Sequence, residues 1–360
     1  MMRKVRMTGC ERVSRMIERK DQDCIPRMES FWNDTLKRWR TEGMVDDPNV
    51  IVGNDFQGLC WSEPFPFPGQ DIVTSEDADT VTKRDAWGQI NRYWKFREGT
   101  PEHVAFPCET KEDWFDVIKP RLLAKGPSVD LKGAEWALRL ARRQGRWCHL
   151  TGLETFEMTR HLLGDENTMI AMIEDPEYLI DVSRTMTDLV LSDFEYLLAN
   201  GIEADGVWIY GDMAYRSGLL CGPPLYRELV WPDHQRMAQW AHDRNMPFVF
   251  HTDGDVNSVI EDYIKAGFDV LQPLEAKAGM DVRRLCPAVG DRLAFIGNCD
   301  VMIYATNDRD AIEEEVRSKI EAGKSTKGYG YHSDHSVPPS VSYETYCFVV
   351  DLVDKYGNYD

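Results

Sequence analysis

The chain has 360 residues, and 42 lysines and arginines against 61 aspartates and glutamates give it a formal net charge of −19. A protein this acidic repels phosphate backbones and anionic lipid head groups, so we expect neither nucleic acid nor a membrane surface as a partner. The N-terminal stretch 1–20 has no apolar run long enough for a signal peptide or a spanning helix, which predicts a cytoplasmic protein.

The first third of the chain is irregular. Short apolar runs at 24–29 and 50–55 predict the first two strands. The segment 54–70, rich in proline and glycine, predicts a long loop, and the alternation over 80–95 predicts a hairpin outside the main sheet. We therefore treat 1–20 as an N-terminal extension and 56–130 as an irregular insertion.

The rest of the chain alternates short apolar runs with amphipathic segments, the pattern of repeated βα units around a parallel sheet. The predicted strands are 147–151, 206–210, 247–251, 270–273, 293–297 and 328–332. Residues 155–200 predict extra helices, and further helices are predicted from Pro223 to Asn245 with a break at Pro232, over 308–322 ended by Gly323, and over 342–356. This spacing favours an α/β fold with one domain, 1–360, built as a single (β/α)8 TIM barrel.

In such a barrel the chemistry lies at the carboxyl ends of the strands. Polar residues follow nearly every apolar run in the second half of the chain. They are Glu154 and Glu157, Asp212, the run HTDGD at 251–255, Glu275, Asn298 and Asp300, and the run HSDH at 332–335.

The run at 251–255 has three possible interpretations. His251 and Asp253 are two residues apart, so on a strand both face the same side, and a histidine and carboxylate set that includes His335 suits catalytic zinc. The same run also fits an Asx-type turn with a hydrogen-bonded histidine, or metal-free acid/base chemistry.

The acids after the two preceding strands are also open to two interpretations. Asp212 is a candidate for acid/base chemistry or substrate orientation, or it caps the next segment. Glu154 and Glu157 are candidate site residues, or they lie on the exposed face of the next helix. Nearby aromatic residues such as Trp208 and Tyr210 are more typical of a core than of a stacking platform.

Five sequence runs together carry a family resemblance. They are ESFWNDTLKRW at 29–39, FHTDGDV at 250–256, GFDVLQPLE at 267–275, FIGNCD at 295–300 and GYHSDHSVPP at 330–339. From about residue 21 onward the chain resembles the uroporphyrinogen decarboxylase superfamily of (β/α)8 barrels, which also contains the corrinoid-dependent methyltransferases. The first run is similar to the methyltransferase-like branch.

The resemblance implies a methyltransferase of O-demethylase type that removes a methyl group from a small methoxylated or methylamine substrate. Where the thiol-methylating branch binds zinc with a His-x-Cys pair and a later cysteine, this chain has His251, Asp253 and His335, a harder donor set suited to an oxygen or nitrogen ligand. The corrinoid would be carried by a partner protein, because the chain lacks the Asp-x-His-x-x-Gly cobalamin signature. A homodimer is also implied. The predicted site comprises catalytic Asp212, His251, Asp334 and His335, and substrate-binding Glu29, Glu154, Tyr210 and His332.

Two alternatives remain open. One is cofactor-free decarboxylation of a tetrapyrrole or another carboxylate. Against it, the early Arg-Gln-Ala-Gly-Arg stretch of the decarboxylases is missing, and Arg160 stands where they have a tyrosine. His335 matches the decarboxylase histidine near the last strand, and Asp55 aligns loosely with their central aspartate. The other is a non-catalytic barrel that binds a tetrapyrrole or a corrinoid protein.

Overall fold

The computed structural model describes residues 6–96 and 99–359, so the first five residues of the predicted extension lie outside the described part. The described strands are β1 (Phe56–Gly58), β2 (Ile72–Glu76), β3 (Thr80–Arg84), β4 (Ile90–Trp94), β5 (Glu102–Ala105), β6 (Trp147–Leu153), β7 (Gly206–Tyr210), β8 (Ala214–Tyr215), β9 (Gly218–Leu219), β10 (Phe248–Thr252), β11 (Val270–Pro273), β12 (Ala294–Ile296) and β13 (Tyr329–Gly330).

The described helices are α1 (Gly9–Ile17), α2 (Asn33–Thr41), α3 (Pro48–Val52), α4 (Lys119–Leu123), α5 (Leu131–Gln144), α6 (Thr155–Leu163), α7 (Asp165–Glu174), α8 (Pro176–Ala199), α9 (Pro223–Leu225), α10 (Trp231–His242), α11 (Ile260–Ala266), α12 (Val282–Val289), α13 (Val301–Tyr304), α14 (Arg309–Lys324) and α15 (Tyr343–Tyr356). Among the described residues, none of these helices combines the length and apolar composition of a bilayer-spanning segment.

Seven parallel strands form a curled sheet in the order β1-β6-β7-β10-β11-β12-β13. Each of the six strands predicted in the second half of the chain is present in this sheet, within a few residues of the predicted bounds. Helices cover one face of the sheet and the curled interior fills the other, so β6 and β11 are buried at every position. Because strands buried on both faces are mostly apolar, the sequence alone predicted them. The α/β class is confirmed.

The predicted strand at 50–55 is wrong, because that stretch contains α3 instead. Asp47 caps this helix, Pro48 occupies its first turn, and Gly53 ends it in a left-handed conformation with φ of 67°. The β-branched residues of α3 gave a strand-like pattern. The strand begins only at Phe56, so the parallel sheet includes β1 and the predicted insertion starts too early.

The segment 24–29 lies between the two edges of the sheet. Arg27 forms an isolated parallel bridge with Tyr331, just past β13, and the carbonyl of Arg27 accepts the backbone N–H of Asp55, just before β1, at 2.9 Å. This segment therefore contacts both edge strands, although it is not a regular strand itself.

Helix α1 closes the amino-terminal end of the curled sheet. Its residues Val13, Met16 and Ile17 pack against the interior side chains of the strands, which include Phe56 and Trp147. Thr8 and Glu11 form a capping box that fixes where the helix begins. The opposite end, where the strands finish, is left for the polar residues.

Two predicted helix features are corrected in detail. Helix α14 does not stop at Gly323 but runs through it to Lys324, and Gly323 is needed because an added Cβ would lie 2.2 Å from the Tyr329 ring. The break expected at Pro232 is absorbed by a π-helical turn, Tyr226–Val230, that leads directly into α10.

The predicted hairpin is present as β3 and β4, which pair antiparallel. They belong to a separate four-stranded sheet of order β2-β3-β4-β5. This small sheet brings the aromatic residues of β4 close to the start of α2.

Candidate functional site

Three predicted site residues meet at the carboxyl ends of β7 and β10. One ligand atom from each of Asp212, His251 and Asp253 lies within 4.8 Å of the other two, and we call this set the acid–histidine cluster. Nε2 of His251 is 3.8 Å from Oδ1 of Asp212. Asp212 does not cap the following helix, whose N-cap is Gly222, and instead accepts the backbone N–H of Asp253 at 3.0 Å.

The local backbone explains why Asp253 turns into this space. Gly254 has φ of 83°, and a Cβ there would lie 2.3 Å from the carbonyl oxygen of Ala214, so only glycine fits. The Asx-turn interpretation holds for Asp255, which accepts the backbone N–H of Asn257 at 3.0 Å. Asp253, by contrast, faces the other two members of the cluster, Asp212 and His251.

His251 is held by its neighbours on both sides in the sheet. Tyr210 and Gln272 are its partners in register on β7 and β11. The Tyr210 ring lies 4.6 Å from the His251 ring, and Nδ1 of His251 donates to Oε1 of Gln272 at 2.5 Å. Because Nδ1 is used in this way, Nε2 faces Asp212. A histidine that binds a metal is oriented in just this manner, by a carbonyl bonded to its second ring nitrogen.

His335 approaches the cluster from the last strand. Its Nδ1 lies 3.3 Å from Oδ2 of Asp253, and its side chain is 39% exposed. It is therefore a neighbour of the cluster through Asp253, while Asp212 occupies the third position of the donor set.

The charges of the cluster act on one another. Burial raises the pKa of Asp212, and the carboxylates of Asp253 and Glu157 add to this effect while His251 opposes it. Burial would also raise the pKa of Asp253, but the hydrogen bond from His335 and the nearby imidazoles outweigh it and lower that pKa. The hydrogen bond to Asp253 in turn raises the pKa of His335. Asp253 therefore gives up its proton more readily than Asp212 does.

Aromatic side chains flank the cluster. Trp61 contacts the Tyr210 ring at 5.3 Å on one side, and Trp32 contacts the His335 ring at 6.4 Å on the other. Both indoles are partly exposed. They form walls on either side of the polar residues.

Glu29 and His332 lie deeper, beneath His335. The Glu29 carboxylate is fully buried and accepts hydrogen bonds from the hydroxyls of Ser333, Tyr331 and Tyr346. His332 Nε2 is 3.6 Å from Oε1 of Glu29, and burial lowers the pKa of His332 to about 4. The protein's own donors therefore surround the predicted substrate-binding Glu29.

Asp334, predicted as catalytic, ties two loops together. Its two carboxylate oxygens accept the backbone N–H groups of Ala276 and Val301 at 3.1 and 3.0 Å. Burial raises its pKa to about 6, against these hydrogen bonds. In the structure, Asp334 therefore holds together the two loops that follow β11 and β12.

The exposed-face interpretation of Glu154 is wrong, because its side chain is fully buried and its carboxylate caps α6 by accepting the N–H of Glu157. Its other oxygen binds His234 Nε2 at 2.8 Å, and His234 Nδ1 contacts the Tyr226 hydroxyl at 3.0 Å. Sequence reasoning missed this buried chain, since Glu154 and His234 are 80 residues apart.

His149 and Gln272 were also missed. His149 lies two residues after Trp147 on β6, and its ring contacts Trp208 at 5.0 Å inside the sheet. Burial lowers its pKa to about 3. The period of two along a strand was the available signal, because it places His149 on the same face as Trp147.

The acid–histidine cluster has the chemistry of a metal site. Two carboxylate oxygens and an imidazole nitrogen are donors that zinc accepts, usually with one open position in a catalytic site. Oδ1 of Asp253 is buried and has no hydrogen-bond partner among the described residues. Because an unpaired buried carboxylate oxygen is costly, a bound cation would satisfy it.

Comparisons of the sequence with known proteins identify its family, and a comparison of structures identifies its fold. The family model described as uroporphyrinogen decarboxylase (URO-D) matches residues 157–356. The chain is 26% identical over 228 residues to a uroporphyrinogen decarboxylase of Chlorobium chlorochromatii, a match that covers 62% of this chain and 56% of that protein. Its structure is similar to a methyltransferase from Methanosarcina mazei, with a TM-score of 0.65 over 97% of this chain and 99% of that one. At 14% identity this second likeness establishes the fold alone.

Proposed function

The chain belongs to the uroporphyrinogen decarboxylase family, and from that premise we propose that it is the methyltransferase component of a corrinoid-dependent system. It would demethylate a small methoxylated or methylamine substrate and pass the methyl group to a corrinoid carried by a partner protein. The curated relative is matched over 56% of its length, so its activity is not transferred whole to this chain.

One observation carries this proposal: the acid–histidine cluster, with the unpaired Oδ1 of Asp253, stands at the carboxyl ends of the strands. We propose that Asp212, His251 and Asp253 hold zinc, with His335 adjacent. The metal would supply Lewis acidity toward the oxygen or nitrogen that carries the methyl group. An oxygen- and nitrogen-rich donor set suits such a ligand better than a thiolate.

The chain's own residues supply positioning and a proton. Gln272 fixes the His251 ring so that Nε2 faces the cluster. His335, whose pKa is raised by Asp253, would hold the proton that the departing oxygen takes up when its bond to the methyl carbon breaks. The aromatic rings of Tyr210 and Trp61 would flank a substrate bound at this point.

Decarboxylation is the second candidate, favoured by the matched relative. It needs cations to bind substrate carboxylates, but Arg160 at the Asp212 loop is already paired with Glu157 at 2.8 Å and Asp165 at 2.7 Å. Asp55, loosely aligned with the central aspartate of the decarboxylases, lies just before β1, at the opposite end from the cluster, and binds Arg12. Both observations count against decarboxylation, and the pairing of Arg160 also counts against a barrel that only binds a tetrapyrrole.

We also propose that the segment 24–29 acts as the eighth strand of a (β/α)8 barrel. Its support is the bridge to Tyr331 on one side and the hydrogen bond from Asp55 on the other. The segment would then be the first strand of the barrel in chain order, and the helices α2 and α3 that follow it would form the outer layer of the first βα unit.

The first test combines metal analysis with turnover. Purified wild-type protein should contain one zinc per chain and should methylate added reduced cobalamin from a methyl ether or methylamine. His251→Ala should lose the zinc and reduce turnover by at least about a hundredfold, as expected for the loss of a metal ligand. His242→Ala is the matched control, because His242 binds Asp269 at the other end of the sheet.

Unchanged turnover in His251→Ala would refute the assigned role of this residue. Release of carbon dioxide from a porphyrinogen carboxylate in the presence of a chelator would support the decarboxylase instead. Spectral shifts of the corrinoid partner on mixing, with neither reaction, would indicate a binding barrel.

A further inference from the structure

Asp212 reaches the acid–histidine cluster from the connection after β7, where it is only partly buried. The residues on either side of it are tied to β10. The N–H of Gly211 donates to the carbonyl of His251 at 3.1 Å. The N–H of Met213 donates to the hydroxyl of Thr252 at 2.9 Å. The backbone groups of Asp212 itself are held by a different element.

Helix α6 supplies a partner for each backbone group of Asp212. Oε2 of Glu157 accepts the N–H of Asp212 at 3.2 Å, and Nη1 of Arg160 donates to the carbonyl of Asp212 at 3.0 Å. Glu157 and Arg160 are three residues apart, so they are neighbours on the surface of the helix. Two side chains of one helix thus hold the peptide groups on both sides of the Asp212 Cα.

The side chains of Glu157 and Arg160 are themselves held by ion pairs. Nη1 of Arg160 lies 2.8 Å from Oε2 of Glu157, and Nε of Arg160 lies 2.7 Å from Oδ1 of Asp165 at the start of α7. Oε1 of Glu157 lies 3.4 Å from Nε2 of His161, whose ring packs edge-on against Trp87. The Arg160 and Glu157 side chains are only 15% and 17% exposed. Because charge-assisted hydrogen bonds are stronger away from water, this network restricts both side chains to one geometry.

The direction of the Asp212 carboxylate depends on its backbone. Oδ1 of Asp212 lies 3.8 Å from Nε2 of His251, and a small rotation of the connection would carry it away from the cluster. The groups of a binding site must be held to within about 0.5 Å of the productive geometry. Residues that orient metal ligands therefore matter almost as much as the ligands themselves.

We propose that Glu157 and Arg160 are positioning residues, which hold Asp212 in the orientation that binds the metal. Their effect on the metal rests on the proposed function, whereas their effect on the Asp212 backbone does not. Both residues act through Asp212. The proposal gives a role to Arg160, which stood out in the sequence as a departure from the decarboxylases.

Titration of the intact protein with Co²⁺ tests the effect on the metal. Co²⁺ accepts the same oxygen and nitrogen donors as zinc, and its visible absorption reports the coordination geometry. We expect Arg160→Leu and Glu157→Ala each to weaken Co²⁺ binding by at least about tenfold and to change the absorption bands, because water replaces the Asp212 carboxylate. Arg160→Lys keeps a donor and Glu157→Gln keeps an acceptor, so these two variants should recover most of the affinity and the wild-type spectrum.

Arg142→Leu is the matched control for the loss of an ion-paired arginine. Arg142 on α5 also binds a carboxylate and a backbone carbonyl, those of Asp205 at 2.7 Å and Glu203 at 3.0 Å. These partners precede β7, so they lie at the opposite end of the sheet from the cluster. The control should lose stability in urea unfolding without any change in Co²⁺ binding.

Hydrogen exchange of the Asp212 amide, followed by NMR in the metal-free protein, gives a second readout. The amide is bonded to Glu157, so its exchange should be slow in wild type and faster in Glu157→Ala and Arg160→Leu. Arg142→Leu should leave this exchange rate as it is in wild type.

Co²⁺ binding as tight in Arg160→Leu and Glu157→Ala as in wild type, or weakened equally in Arg142→Leu, would overturn the inference. If Co²⁺ binds and the variants show the expected losses, but wild type transfers no methyl group, the inference stands and the proposed function fails. If wild type binds no cation, the metal site of the proposed function fails and the exchange of the Asp212 amide decides the inference. Faster exchange in the two variants would then support it, and equal rates would overturn it.

Discussion

Glu29 shows how one buried carboxyl group shapes the region beneath the site. Burial raises its pKa from an ordinary value of 4.5 to about 7, although hydrogen bonds from Ser333 and Ser30 act in the opposite direction. His332, 3.6 Å away, is shifted the other way because burial disfavours its charged form. Burial thus favours the uncharged form of both groups.

This shift links stability to pH. Because the folded protein binds the Glu29 proton more tightly than the unfolded chain does, its contribution to stability is complete below about pH 4.5 and is lost as the pH rises to about 7. Glu29→Gln cannot titrate. We expect its free energy of unfolding, relative to wild type, to improve by on the order of 3 kcal/mol between pH 4.5 and pH 7.5.

Urea unfolding at several pH values measures this difference. Glu135→Gln on α5 is the control, because Glu135 is half exposed and its difference from wild type should stay flat. A flat profile for Glu29→Gln would mean that Glu29 is ionised in the folded protein throughout this range.

At the scale of elements, the sequence predicted some strands well and others poorly for a physical reason. Strands covered on both faces, such as β6 and β11, are buried at every position and are therefore mostly apolar, which a single sequence reveals as a short apolar run. The segment 24–29 makes only isolated bridges, and α3 contains β-branched residues in a helix of one turn. Neither segment therefore shows the regular spacing of apolar residues that identifies a strand or a helix in a sequence.

The same limit applies to the site. The alignment of Asp212 and His251 at neighbouring strand ends followed from the βα pattern alone, because parallel strands end at one edge. Which side chain takes the third position depends on reach across the sheet, which spacing does not encode. Asp212, rather than His335, is therefore found with His251 and Asp253.

The connection after β7 offers a test of how tightly its backbone is fixed. A Cβ at Gly211 would lie 2.1 Å from Cβ of Glu154, whose side chain is itself held by His234. Gly211→Ala should therefore displace the adjacent Asp212. We expect it to cost about 1–3 kcal/mol of stability, as overpacking does, and to weaken zinc binding by about tenfold.

Zinc titration and urea unfolding of Gly211→Ala should be compared with Gly222→Ala. Gly222 lies in the same connection, and a Cβ there would be no closer than 3.7 Å to its neighbours. The control should change stability by less than about 1 kcal/mol and leave zinc affinity intact. Wild-type zinc affinity in Gly211→Ala would show that the Asp212 loop adapts or that Asp212 is no ligand.

At the scale of the whole molecule, the two ends of the parallel sheet have different roles. All strands end at the mouth that holds the acid–histidine cluster, and α1 seals the other end. At that sealed end, Arg12 is buried between two carboxylates, with its Nε 2.9 Å from Asp23 and its Nη1 2.7 Å from Asp55. Asp23 directly precedes the segment 24–29, and Asp55 directly precedes β1, so this network joins the helix to one edge strand and to the segment that lies between the two edges.

The variant Arg12→Met tests whether the end closed by α1 is independent of the acid–histidine cluster. It would leave two buried carboxylates without their cation, which costs about 3–5 kcal/mol when a buried pair is broken from one side. Burial would raise the pKa of Asp23, but hydrogen bonds from Arg12 and from the amides of Arg6 and Met7 lower it well below its usual value of 3.8. The stability that this interaction provides is therefore present at neutral pH and is lost as the pH falls below about 4.

The deficit of Arg12→Met in urea unfolding should accordingly be largest near pH 7 and shrink toward pH 4, while Arg15→Met, exposed on the same helix, stays close to wild type. Zinc affinity should not change, because the cluster lies at the far end of the strands. A loss of zinc at a denaturant concentration where Arg12→Met remains folded would show instead that the two ends are coupled, and that closure by α1 sets the spacing of the strand ends at the mouth.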